Sequence, residues 1–172
     1  MALSVKLLRY VNSASVGLPR TVDSISQAIV LVGTDRMRQW ASLLVLSQTG
    51  DKPSELMRVA LIRARMCESL CTLLGESSSQ GFTVGLFSIL DAYFDCEMKD
   101  LLEDLPLASE ILDALLRKEG VLGEILEGIY AYERAEWNQQ AFRVVEPKIL
   151  NSVYWKSIEW ANSVMATVVQ KN

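Results

Sequence analysis

Histidine is absent from this sequence of 172 residues, and its absence excludes several kinds of active site. Histidine is the usual general base near neutral pH and the commonest metal ligand in proteins. A Ser-His-Asp or Cys-His nucleophile and a typical zinc hydrolase centre therefore cannot be assembled. The sequence also lacks a G-x-x-x-x-G-K-[ST] loop, a G-x-G-x-x-G fingerprint and a G-x-S-x-G elbow. An enzyme would have few of the usual catalytic groups available.

Cysteine is also scarce, since only Cys67, Cys71 and Cys96 are present and none forms a C-x-x-C pair. Cys67 and Cys71 are one helical turn apart on the same face, a geometry that does not favour a disulfide. No histidine can complete a zinc site with them. We therefore predict three buried, small apolar side chains whose free thiols suit a reducing cytoplasm.

Positive charge is limited as well, with a net charge of −4 and a pI of about 5.0. The basic positions between Arg36 and Arg65 are interrupted by acidic and apolar residues, which is typical of a solvated face. Neither a signal peptide nor an apolar run of membrane-spanning length is present. We predict a cytoplasmic protein that has neither nucleic acid nor a membrane as its partner.

Apolar residues recur every three or four positions along almost the whole sequence, and no stretch alternates with period two. That spacing is typical of amphipathic helices. We predict helices over residues 3–11, 25–32, 35–45, 53–74, 82–94, 98–102, 109–118, 121–137 and 149–169. The predicted fold class is therefore all-α, with irregular helix packing in a single domain of residues 1–172.

Local signals mark several helix boundaries and contacts. Ser24 and Gln27 form a capping-box pattern, in which both side chains satisfy free N–H groups at a helix start. Residues 75–81, which include three consecutive serines, are the most polar stretch and are predicted to form a loop. Gly81 and Gly85, four residues apart, would let their helix approach a neighbour closely.

Arg63 falls within the apolar stripe of the predicted helix 53–74, where a guanidinium is unexpected. We favour the interpretation that its stem is buried and its head pairs with a carboxylate. The alternative is that Arg63 binds a ligand, such as a phosphate.

Acidic residues are densest between positions 91 and 104. Asp91 and Asp95 are four residues apart, so both could lie on one helical face and bind magnesium. Such pairs are also common on solvated helices, and we favour that interpretation. The cluster comprises Asp91, Asp95, Glu97, Asp100, Glu103 and Asp104.

Several segments together resemble the HDOD domain, an HD-related output domain of bacterial signalling proteins. They are residues 7–14 (LLRYVNSA), 17–19 (GLP), 24–33, 63–68 (RARMCE) and 85–91 (GLFSILD). Residues 120–123 (GVLG) and 131–134 (AYER) resemble the branch of this family that follows an EAL domain, the fold of cyclic-di-GMP phosphodiesterases. The motif positions carried over are Asn12, Ser13, Gly17, Leu18, Pro19, Gly33, Arg63, Glu68 and Gly85.

The resemblance implies an HD-like helical domain used in regulation. In catalytic HD relatives a His-Asp dyad and further His and Asp residues bind the metals that act in phosphohydrolysis. The resemblance places Ser88 and Ile89 at the dyad and Arg63 near an upstream ligand. Isoleucine has no lone pair and arginine is always cationic, so we expect a non-catalytic member with no metal and no cofactor.

The same resemblance implies that the partner is another protein or an adjacent EAL domain. Complete HDOD domains usually carry a further helical segment before the stretch that begins here at Leu3, so we expect an N-terminal truncation. Lost cover would expose apolar side chains of helix 3–11 and favour a homodimer, with Leu7 and Trp155 as candidate contacts. The alternative functions are a nucleotide-sensing domain that uses Arg63 and a metal-dependent HD-type phosphohydrolase.

The motif from Asn12 to Pro19 is predicted to form a fixed turn. Asparagine and serine side chains can bond to nearby backbone, and Gly17 would supply a positive φ. Gly17→Ala should then cost about 1 kcal/mol, and an unchanged melting temperature would count against the turn.

Overall fold

The computed structural model describes residues 7–8, 10–12, 18, 21–46, 53–103, 105, 107–137 and 143–168. Within these ranges the regular structure is helical and contains no strand, which confirms the all-α fold class. Leu7, Leu8, Tyr10 and Val11 have helical backbone. The helices that follow are α1 (Ile25–Val32), α2 (Thr34–Leu46), α3 (Ser54–Leu74), α4 (Ser78–Phe87), α5 (Leu90–Phe94), α6 (Met98–Leu102), α7 (Ser109–Arg117), α8 (Gly120–Glu133) and α9 (Pro147–Val168).

The chain divides into two compact units, one of Met1–Arg58 with Glu159–Asn172 and one of Val59–Ile158. Each unit has its own buried apolar side chains. That residues 1–172 fold as a single domain stays a prediction.

The first unit buries the residues that open the chain. Leu7 is only 7% exposed, and Tyr10 and Val11 are fully buried. The ring of Tyr10 contacts Trp40 edge-on, with centroids 5.6 Å apart. The expectation that Leu7 lies on an uncovered apolar face is therefore wrong, because these side chains are part of the core of their own unit.

Asn12, the first residue of the predicted turn, bonds to the backbone of Val22. Its Nδ2 donates to the carbonyl oxygen of Val22 and its Oδ1 accepts from the Val22 N–H, both at 2.8 Å. The side-chain amide thus pairs with the backbone as a neighbouring strand would. Leu18 is half-buried, whereas Ser13, Gly17 and Pro19 lie outside the described residues.

The predicted cap of α1 is confirmed. The hydroxyl of Ser24 accepts from the Gln27 N–H at 3.2 Å, and Gln27 Oε1 accepts from the N–H of Asp23 at 3.0 Å. Gly33 ends the helix with a φ of +88°, which favours glycine.

In the second unit, α4 packs closely on α3 at two glycines. A Cβ built on Gly81 would lie 2.5 Å from Cys71 Sγ and 2.8 Å from the carbonyl oxygen of Cys67. A Cβ built on Gly85 would lie 2.4 Å from the carbonyl oxygen of Arg63. The close approach predicted from the spacing of the two glycines is therefore confirmed.

Two predicted boundaries in this region are wrong. The serines at positions 78 and 79 are helical, because the hydroxyl of Ser77 accepts from the Gln80 N–H and starts α4 inside the predicted loop. The predicted helix 82–94 is divided at Ser88 and Ile89, which form a turn between α4 and α5.

No helix among the described residues combines the length and the apolar character that crossing a membrane requires.

Candidate functional site

The candidate site lies in the Val59–Ile158 unit, where α3, α4 and α8 bring Arg63 and Glu133 together. Arg63 Nη2 is 2.7 Å from Glu133 Oε2, and Arg63 Nε is 2.9 Å from Oε1. The two side chains are 17% and 23% exposed. Two parallel bonds to a carboxylate fix the plane of the guanidinium. The predicted carboxylate partner of Arg63 is therefore present.

Ser88 ties the end of α4 to this ion pair. Its hydroxyl donates to the carbonyl oxygen of Gly85 at 2.8 Å and accepts from Arg63 Nη1 at 3.4 Å. The hydroxyl of Tyr130 donates to the carbonyl oxygen of Ser88 at 3.2 Å. The structure thus joins three of the predicted motif residues, Arg63, Gly85 and Ser88, in one hydrogen-bonded cluster.

Three positively charged side chains lie around the ring of Tyr130 at this site. The guanidinium of Arg63 lies 4.6 Å from the ring centroid, Lys118 Nζ 5.6 Å and the guanidinium of Arg134 5.9 Å. Cations within about 6 Å of an aromatic face are attracted by the ring quadrupole. Burial raises the pKa of Tyr130, so the phenol stays neutral and can donate to Ser88.

Burial and neighbouring charges act in opposite directions on the pKa values of the two half-buried cations, Arg63 and Lys118. Burial disfavours the charged form of Arg63, but the hydrogen bonds and attraction of Glu133 outweigh it, and the pKa of Arg63 is raised. Burial lowers the pKa of Lys118, with Arg63 adding repulsion and Glu127 and Asp91 opposing the change. Arg63 is therefore a permanent cation at the centre of the cluster.

The side chain of Lys118 bonds to the helix that this residue terminates. It terminates α7 in the left-handed conformation with a φ of 61°, and its Nζ donates to the carbonyl oxygen of Leu115 at 2.7 Å. Gly123 of α8 lies against it, because an added Cβ would be 2.3 Å from the Lys118 carbonyl carbon. This contact gives a physical reason for a glycine at the end of the GVLG segment.

The two positions of the degenerate dyad offer little to a metal ion. Ile89 is buried and precedes α5 with no side-chain hydrogen bond. The hydroxyl of Ser88 is already bonded to Gly85 and Arg63. Across the residues that the structure describes, no three His, Cys, Asp or Glu side chains are grouped so that they could hold a metal.

The prediction that Asp91 and Asp95 could lie on one helical face is wrong. Asp95 lies beyond the last residue of α5 in a left-handed conformation, with a φ of 54°. Asp91 Oδ1 accepts from the N–H of Ala92. The two carboxylates therefore do not occupy successive turns of one helix face.

Two further predicted residues of the same unit, Glu68 and Trp155, are not part of this cluster. Glu68 pairs with Arg65 one turn away on α3. Trp155 projects from α9 and is 60% exposed, as its place off the apolar stripe predicts.

Burial was predicted for all three cysteines and is confirmed for two. Cys67 and Cys71 are buried free thiols, whereas Cys96 is exposed, contrary to expectation. Burial raises the pKa of Cys71 to about 11 and raises that of Cys67 further. Cys96 lies in the turn after α5, outside any apolar stripe, and its thiol donates to the carbonyl oxygen of Phe94.

Sequence reasoning did not identify Tyr130, Glu133 or Lys118. A guanidinium in an apolar stripe implies a carboxylate partner, but the sequence contains 21 acidic residues and gives no reason to select Glu133. Tyr130 and Glu133 are three apart, so both can face one neighbouring helix. This three-residue spacing is the sequence feature that could have linked Tyr130 and Glu133 to a shared site.

Comparison with known proteins identifies a family and two related sequences. The sequence profile of the HDOD domain matches residues 1–103. The chain is 39% identical over 140 residues to the cyclic di-GMP phosphodiesterase CdgJ of Vibrio cholerae, covering 80% of this chain and 32% of the relative. It is 27% identical over 172 residues to the uncharacterized protein YuxH of Bacillus subtilis, covering 96% of this chain and 42% of that protein. The chain thus spans less than half the length of these relatives.

Among solved structures, the chain resembles a Shewanella amazonensis protein provisionally described as a phosphohydrolase. The TM-score is 0.60, with 15% sequence identity, and the match covers 96% of this chain and 82% of the other. At that identity the likeness concerns the fold alone.

Proposed function

Because this chain belongs to the HDOD family, we propose that it is a non-catalytic signal-transduction module that acts through protein contacts. Its partner is another protein or an adjacent EAL domain, and it operates in the cytoplasm without a metal cofactor. The name of the Vibrio relative, a cyclic di-GMP phosphodiesterase, supports a place in cyclic-di-GMP signalling.

The observation that carries the proposal is the Arg63–Glu133 pair. The resemblance puts Arg63, Ser88 and Ile89 where a catalytic HD centre holds metal ligands. Arg63 is instead a cation bound by Glu133 and next to Ser88. A fixed positive charge repels a divalent ion, and the carboxylate that could bind one is already paired.

Measurements of metal content and turnover test the proposal that the chain is non-catalytic and holds no metal cofactor. We expect less than stoichiometric manganese, iron or zinc after purification, and no hydrolysis of cyclic di-GMP or bis-p-nitrophenyl phosphate when manganese or magnesium is added. One or more tightly bound metal ions per chain, together with turnover that Asp91→Ala abolishes, would contradict the proposal.

The test of the regulatory claim uses an EAL phosphodiesterase joined to this chain and the same enzyme alone. We expect the joined form to differ in its rate of cyclic-di-GMP hydrolysis. Glu133→Gln, which disturbs the hydrogen bonds of the Arg63 cluster, should reduce that difference. Equal rates with and without the chain, and no association in trans, would argue against the EAL domain as the partner.

A nucleotide-sensing domain is the second candidate, because Arg63 and Lys118 both lie within 6 Å of the Tyr130 ring. We favour it less because Arg63 is engaged by Glu133 and Lys118 by Leu115. Calorimetric titration with cyclic di-GMP decides between the two. Saturable binding that Lys118→Met weakens would favour sensing over protein contact.

A further inference from the structure

Lys118 is bonded differently from the arginines around it. Arg63, Arg117 and Arg134 each form an ion pair with a carboxylate. Lys118 Nζ instead donates to the carbonyl oxygen of Leu115, and among the residues that the structure describes no carboxylate forms an ion pair with it. Its charge therefore lies next to a neutral acceptor, in a side chain that is only partly open to solvent.

The surroundings of Lys118 favour its neutral amine. Burial is the main reason that the pKa of Lys118 is lowered, and the positive charge of Arg63 adds repulsion. Glu127 and Asp91 attract the ammonium form and only reduce the change. A lysine that is desolvated next to another cation is an activated nucleophile, because its lone pair is free in a larger fraction of the molecules.

The packing around Lys118 holds its amine in one place. The residue terminates α7 in the left-handed conformation, and Gly123 lies against its carbonyl group. The bond to Leu115 fixes the far end of the side chain, with Nζ 5.6 Å from the centroid of the Tyr130 ring. A nucleophile whose position is fixed in advance loses little freedom when it reacts.

A second cation near the Tyr130 ring indicates which electrophile the amine would meet. The guanidinium of Arg134 lies 5.9 Å from the ring centroid, and its side chain is 54% exposed. Glu136 accepts two of its five N–H groups, so within the described part of the chain three remain for an anion. Guanidinium groups bind phosphate well. An acyl phosphate is small enough for a half-buried amine and carries the anionic group that Arg134 attracts.

We propose that Lys118 is a site of acylation by a small acyl phosphate. The lone pair of Nζ attacks the acyl carbon, the C–N bond of an amide forms, and the C–O bond to phosphate breaks. Phosphate leaves with the bonding electrons, and the proton of the amine passes to water. The amide N–H still donates to the carbonyl oxygen of Leu115, so acylation removes the charge of Lys118 and keeps its hydrogen bond.

The test is incubation of the full chain with acetyl phosphate at about pH 7.5, followed by mass spectrometry of chymotryptic peptides. The internal controls are the exposed lysines Lys99, Lys148 and Lys156. We expect Lys118 to be acetylated at least about threefold faster than these lysines although it is less accessible, because a larger fraction of it is neutral. Unfolding in guanidinium chloride should abolish the difference.

Two glutamates of α8 provide matched variants. Glu127→Gln removes a charge that attracts the ammonium form of Lys118, so it should raise the acetylation rate of Lys118 about twofold or more. Glu124→Gln removes an exposed carboxylate one turn earlier on the same helix, which does not contribute to the lowered pKa of Lys118. This variant should react at the rate of the parent protein.

A native rate for Lys118 no higher than the rates of the exposed lysines, or equal rates in the two glutamine variants, would overturn the proposal. A parallel incubation with acetyl coenzyme A tests the donor. Labelling of Lys118 by this thioester and not by acetyl phosphate would show that the acyl phosphate is wrong. None of these results touches the metal and turnover tests, so the proposed function can fail or survive separately.

Discussion

At the scale of single residues, Arg63 is a charged side chain inside an otherwise apolar helix face. Its charge is tolerated because Glu133 supplies two hydrogen bonds and the Tyr130 ring covers one side of the guanidinium. Removing one member of a partly buried pair leaves the other charge with less compensation, which costs more than the pair itself contributes.

Glu133→Gln should therefore lower the free energy of unfolding by about 1.5–3 kcal/mol, the range for hydrogen bonds to charged groups. Urea denaturation monitored by circular dichroism measures the change. Glu136→Gln is the matched control, because Glu136 also makes two bonds to an arginine, Arg134, but the pair is half exposed. Exposed pairs contribute little, so equal losses in both variants would refute the role given to Glu133.

The thiols provide a second prediction at this scale. Cys96 is exposed whereas Cys67 and Cys71 are buried, and only a thiolate attacks a disulfide reagent. At pH 8 the native protein should release one equivalent of thionitrobenzoate from Ellman's reagent, and Cys96→Ser should release none. Denatured protein should release all three, and fast reaction of more than one native thiol would contradict the burial described.

The pKa of Cys71 predicts a pH dependence of stability. Burial raises this pKa from 9.0 to about 11, so the native state holds the thiol proton more tightly than the unfolded chain does. The stability that Cys71 contributes is complete below pH 9 and is lost as the pH rises through about 11. Urea titrations from pH 8 to pH 11 should show a smaller decline in Cys71→Ala than in the parent protein. Identical slopes would contradict the raised pKa.

At the scale of elements, the contact of α4 with α3 depends on glycine. All three atoms nearest to a Cβ on Gly85 are backbone atoms of Arg63 and Ala64, at 2.4 to 2.6 Å. At Gly81 the nearest atom is the side-chain sulfur of Cys71, which can move, and the nearest backbone atom, the carbonyl oxygen of Cys67, is farther away at 2.8 Å. The two sites therefore differ in how well they can absorb a methyl group.

Gly85→Ala should destabilise the protein by about 1–3 kcal/mol despite the better helix propensity of alanine, because the backbones must separate. Gly81→Ala should cost less, since rotation of Cys71 relieves its closest contact. Thermal unfolding of the two variants gives the order, and a Gly85→Ala protein at least as stable as the parent would show that α3 and α4 are not in close contact.

At the scale of the whole molecule, the two candidate self-association contacts have different surroundings. Leu7 is buried in the first unit, whereas Trp155 is exposed in the second. Leu7→Glu should lower the melting temperature strongly, because burying a carboxylate costs at least about 2 kcal/mol. Trp155→Glu should leave the melting temperature nearly unchanged, so only this variant reports on association.

Light scattering over a concentration series then tests the proposed homodimer. A dimer in the parent protein that Trp155→Glu dissociates would support a contact through α9. A monomer at high micromolar concentration in the parent protein would exclude self-association through either residue.

The fold class, most helix boundaries and the local caps follow from the amino-acid sequence alone. The spacing of apolar residues requires only that neighbouring turns share a face, and the Ser24 cap involves residues within four positions of each other. The same local reasoning placed Arg63 in an apolar stripe and anticipated its need for a carboxylate. The boundary at Ser77 was missed because a serine run is equally typical of a loop and of a helix cap.

Contacts between residues far apart in the sequence depend on how the helices pack. Glu133 rather than another acid pairs with Arg63, seventy positions away, and Tyr130 reaches Ser88 across forty-two positions. The tertiary structure also buries Leu7 and brings the rings of Tyr132 and Tyr154 into contact across α8 and α9. Such pairings depend on how the helices of each unit pack, and packing is a property of three-dimensional shape that the spacing of residues along one helix does not encode.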